Sequence, residues 1–137
     1  MSKYESIRFF ADSEVNSHLK AIAAHPMFKS LANFTFPNIT EEELSSIVSS
    51  IHSIQEFHEK IIFKTMEKIL ETSSDGLTFS GIEKLDPKQS YLYISNHRDI
   101  LLDTSLLNVV LLRNKMIMTA SAIGNHHASF YRNFFLW

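Results

Sequence analysis

Apolar residues recur at helical spacing through the first half of the chain, and the pattern changes near the middle. Val15, Leu19 and Ile22 predict a first helix that Asp12 or Ser13 can cap, with Glu14 favourable in its first turn. Pro26 ends that segment near His25. Met27 to Phe34 is a second short apolar segment, broken by Phe34-Thr-Phe-Pro37. Thr40 followed three residues later by Glu43 is a capping box, and Leu44, Ile47, Val48 and Ile51 follow it at helical spacing. The helical pattern resumes, or continues, from Ser53 to Glu71. Ile54, Phe57, Ile61, Ile62, Met66, Ile69 and Leu70 make its apolar side. Glu56, Lys60, Lys64 and Glu67 make its polar side, with Glu56 and Lys60 four residues apart. Ahead of all this, Tyr4 to Ala11 reads as a terminal strand or an arm.

Thr72-Ser-Ser-Asp-Gly76 is a loop and the expected internal boundary. Beyond it Leu77-Thr-Phe79 alternates like a strand, and Asp86 to Ser90 forms a turn. Tyr91 to Ile94 reads as a buried strand, Ile100 to Leu112 as an apolar helix, and Met116 to Ala120 as another strand. Arg113-Asn-Lys115 ends the helix with positive charge at its negative pole. The expected fold class is therefore α+β to α/β: a helical region over residues 1–74, then the β-β-α-β start of an α/β domain over residues 75–124. Residues 125–137 form an aperiodic tail ending on four large apolar residues.

Composition narrows the functional classes. The 137 residues suffice for one modest domain, and a formal net charge of −2 leaves no basic footprint for nucleic acid. The absence of cysteine excludes disulfides, thiolate metal sites and a cysteine nucleophile. The N-terminal residues carry mixed charge and no apolar core of a signal peptide. Ile100 to Leu112 is too short, and too interrupted by Asp103, Thr104, Ser105 and Asn108, to span a bilayer. A cytoplasmic protein is expected, with peripheral contact at a membrane surface left open.

Chemistry concentrates between the predicted strand and helix, where Asn96, His97, Arg98, Asp99 and Asp103 cluster. Sites in α/β folds lie just past the carboxyl ends of strands, and a histidine beside an aspartate there is a candidate general base with its orienter. His126 and His127 bring no third ligand at a metal-binding spacing, so no metal is expected. His18, His25, His52 and His58 read as surface or boundary residues. Met116 and Met118 read as core.

Asn96-His97-Arg98, an aspartate and an apolar helix resemble the first motif of the glycerolipid acyltransferases, in which Asn-His is followed by four residues and an aspartate. This superfamily includes the glycerol-3-phosphate and 1-acylglycerol-3-phosphate enzymes. The lead-in also fits: Gly81-Ile-Glu-Lys-Leu85, a Pro-containing turn, then an apolar segment ending in Ser95-Asn96-His97. The resemblance is strongest from Gly76 to Gly124. It implies transfer of a fatty acyl group from acyl-CoA or acyl carrier protein to a glycerol phosphate or lysophosphatidate hydroxyl, in phospholipid synthesis and without a cofactor. In that reading His97 is the base and Arg98 and Asn96 contact substrate. The family spacing falls on Leu102; Asp103 lies one residue beyond it and is the preferred orienter, with Asp99 as the alternative. The family's later blocks do not follow, so an N-terminal part of such an enzyme is expected. The alternatives are a catalytically incomplete fragment and a non-enzymatic helical interaction module.

Overall fold

A computed structural model describes residues 10–96, 98–99 and 102–119. Every regular element among them is helical. In chain order these are α1 (Asp12–Ala23), α2 (Pro26–Thr35), α3 (Glu41–Ser49), α4 (Ile54–Phe57), a π-helical turn (His58–Ile62), α5 (Phe63–Ser73), a 3₁₀ turn (Ile82–Lys84) and α6 (Leu102–Arg113). The described chain divides into two compact units, one ending at Ile61 and the other running from Ile62 to Thr119.

In the first unit α1 packs against α3 and α2. Val15 and Leu19 are fully buried, as their spacing predicts, and Phe28, Ala32, Leu44, Val48 and Ile51 complete the apolar interior. The caps explain where each helix begins. Pro26 opens α2 as well as closing the segment before it: proline needs no N–H partner at a first helical position, and His25 Nδ1 accepts the Met27 N–H at 3.2 Å. The Thr40–Glu43 box forms in both directions, at 3.1 and 2.9 Å. Asp12 does not cap α1. That helix starts after Ala11, whose N–H meets Glu14 Oε2 at 2.8 Å, and Asp12 Oδ1 accepts the Ile54 N–H at 2.9 Å.

One turn along α1, Asn16 closes the corner between α3 and α4. Its Nδ2 donates to the carbonyls of Val48 (3.1 Å), Ser49 (3.3 Å) and Ile51 (2.8 Å). These lie at or just past the end of α3, where carbonyls lack intrahelical partners. Lys60 Nζ adds a bond to the Ser50 carbonyl at 2.8 Å. Asn16→Ala is expected to destabilise the chain by about 1–2 kcal/mol, because it leaves part-buried acceptors without a donor. Asn16→Asp should be worse, since it sets a negative charge at the negative end of α3. Urea unfolding of the two variants checks this; equal midpoints for wild type and Asn16→Ala would remove Asn16 from the account.

Helical pattern resumes at Ser53 and does not simply run on. Ser53 Oγ accepts the Glu56 N–H at 3.1 Å and Glu56 Oε2 accepts the His52 N–H at 2.7 Å. That second bond holds the Glu56 carboxyl below its ordinary range. The π turn then places two adjacent rows of side chains inside: Phe57, Ile61 and Thr65, and His58, Ile62 and Met66. His58 is 4% exposed, not a surface or boundary residue as its isolated position suggests. A π-helical turn shifts the helical phase by one residue, a displacement that averaged 3.6-residue spacing does not show.

The second unit is organised by α5 packed on α6. Met66, Val109, Leu111 and Met116 are buried, and Arg113 pairs with Glu67 at 2.7 Å. The α6 C-terminus is a complete Schellman motif: Met116 N–H meets the Leu111 carbonyl at 2.9 Å and Lys115 N–H meets that of Leu112 at 3.0 Å. Lys115 takes the left-handed position, φ 57°, which suits glycine better. Lys115→Gly is expected to raise stability by about 1 kcal/mol, seen as a higher urea midpoint at unchanged slope. A lowered midpoint would show that the lysine side chain contributes more than its backbone costs.

The expected β-β-α-β start is not what forms, and the fold class is corrected to all-helical over the described residues. Among those residues, Leu77–Phe79, Tyr91–Ile94 and 116–119 pair with no strand. The supposedly buried strand leaves Leu92 86% and Ile94 87% exposed, and Ile117 is 72% exposed. β-branched and aromatic residues make a segment compatible with a sheet, but a strand exists only against a neighbour. Here the Schellman turn directs Met116 back onto Leu111, and α6 packs on a helix.

Candidate functional site

Local chemistry builds the turn before α6. Asp99 Oδ1 accepts the Leu102 N–H at 2.8 Å, capping the start of the helix. Asp103, four residues on, folds its carboxylate back: Oδ2 accepts the N–H groups of Arg98 (2.6 Å) and Asp99 (3.0 Å). The two aspartates therefore hold opposite ends of one turn. A carboxylate receiving N–H donors at a helix N-terminus is favoured both by the hydrogen bonds and by the positive end of the helix.

The sequence-predicted residues separate by environment. Asn96, Arg98 and Asp99 are exposed, and Asp103 is half-buried. The Arg98 guanidinium makes no ion pair among the described residues and faces solvent. His97 lies outside the described residues, as do His126 and His127 and the rest of the tail over residues 125–137. Asp103 is tied to Arg98, the residue that follows His97 in the chain. The N–H groups of Arg98 and Asp99 draw the Asp103 carboxylate back over the start of the turn.

Two polar residues of α6 face inward. Ser105 and Asn108 are buried, and Asn108 Oδ1 accepts both the N–H and the hydroxyl of Thr119, at 2.9 and 3.0 Å. Asn108 Nδ2 is buried without a partner among the described residues. In the sequence both residues interrupt an apolar run. Asn108 ties the segment after α6 back to the helix.

A shallow groove of about 290 Å³ lies elsewhere in this unit, lined by Glu67, Glu71, Asp75, Leu70, Leu77 and Arg113. Its carboxylates outnumber its cations, and Arg113 is already paired with Glu67. That lining repels a phosphate. No group of three His, Asp or Glu side chains suited to a metal ion occurs among the described residues. Nor is any described helix long and apolar enough to cross a membrane. Comparison of the chain with protein-family models, with curated proteins and with solved structures returned no match.

Proposed function

We propose that the Asn96–Asp103 turn carries glycerolipid acyl transfer, from an acyl-CoA or acyl carrier protein thioester to the hydroxyl of a glycerol phosphate or lysophosphatidate. The observation that carries this reading is the fold-back of Asp103 onto the N–H groups of Arg98 and Asp99. It brings a carboxylate to the chain segment holding the motif histidine, despite the extra residue between them.

Mechanistically, neutral His97 takes the proton of the acceptor hydroxyl as that oxygen bonds to the thioester carbonyl carbon. The carbon–sulfur bond then breaks, and the imidazolium returns the proton to the leaving thiolate. Asp103 orients the ring and stabilises its charged form. Arg98, exposed and without an ion pair among the described residues, is available to meet the acceptor's phosphate. The acceptor supplies the nucleophile, so neither Ser95 nor Ser105 is needed as one. Such a protein would act in the cytoplasm, with peripheral contact at a membrane surface where its acceptor is a lysophospholipid.

A second reading is favoured by the exposure of Leu92 and Ile94 beside the turn: a chain that bears the motif but does not turn over. Incubating the full chain with acyl-CoA or acyl carrier protein and each acceptor, and following thiol release against acylated product, separates the two. Product that requires both donor and acceptor supports acyl transfer. Absence of product with every pair would leave the second reading standing.

A further inference from the structure

We draw no further inference here: the strongest candidate, the shallow groove of the second unit lined by Glu67, Glu71, Asp75, Leu70 and Leu77, is an acidic cluster beside which nothing in the structure points to a cationic ligand.

Discussion

His97→Ala is expected to lower acyl transfer by about 10²–10⁴-fold, the contribution of a positioned general base. A glycerol hydroxyl at neutral pH is almost wholly protonated and a weak nucleophile. Without imidazole to take its proton as the carbon–oxygen bond forms, attack on the thioester must proceed through a strongly acidic oxonium-like species. The loss should fall on turnover more than on acceptor binding, and the acidic limb of the pH–rate profile should flatten with it.

Asp103 allows a sharper test of the same site. Asp103→Asn keeps a side-chain oxygen that can accept the Arg98 and Asp99 N–H groups, so the turn survives. It removes the negative charge that supports an imidazolium. If Asp103 orients the base, Asp103→Asn loses rate while the fold persists; if it only shapes the turn, Asp103→Asn works normally and Asp103→Ala does not. Unaltered transfer by His97→Ala in an active preparation would end the assignment.

The second large effect is acid destabilisation through His58. Burial pushes its imidazole down to about 4 from an ordinary 6.5. The folded chain thus holds His58 neutral while the unfolded chain takes up a proton near pH 6.5. Stability from this residue is complete above that pH and is lost as pH falls towards about 4. The full loss is about 3 kcal/mol, a large share of a small domain's total. His58→Gln retains hydrogen-bonding capacity without titrating in this window. Urea unfolding from pH 7 to 4 should show wild type falling more steeply than His58→Gln. Parallel curves would mean that the site hydrates or rearranges before His58 charges.

His58 also shows why part of the molecule was not legible in advance. Its neighbours Phe57, Ile61 and Ile62 mark an apolar helix face, but the π turn that brings two rows inside depends on what that face meets. Asn16 is similar. An asparagine at a half-polar position of α1 carries no local sign that it will reach carbonyls more than thirty residues away. Asp12 looked like a cap for its own helix and instead receives the Ile54 N–H of another.

Short-range chemistry was readable. The Thr40–Glu43 box, the apolar stripe of α1, and the end of α6 at Arg113 all follow from side chains within a turn of one another, whose geometry the helix itself sets. The candidate site is of this kind as well. Both aspartates act within five residues of the backbone groups they bind, so their presence at the start of a helix could be read from order alone. The expected strands do not form, for the complementary reason. Residues 91–94 have the composition of a strand, but a ladder needs hydrogen-bonding partners distant in sequence, and among the described residues tertiary structure supplies helix against helix. Sequence by itself determined which segments of the first half are helical, that Thr40 and Glu43 cap one of them and where titratable groups gather. Only the tertiary structure decided that His58 lies buried, that Asn16 and Asp12 serve other helices, and that Leu92 and Ile94 face outward, because each depends on contacts that local spacing does not encode.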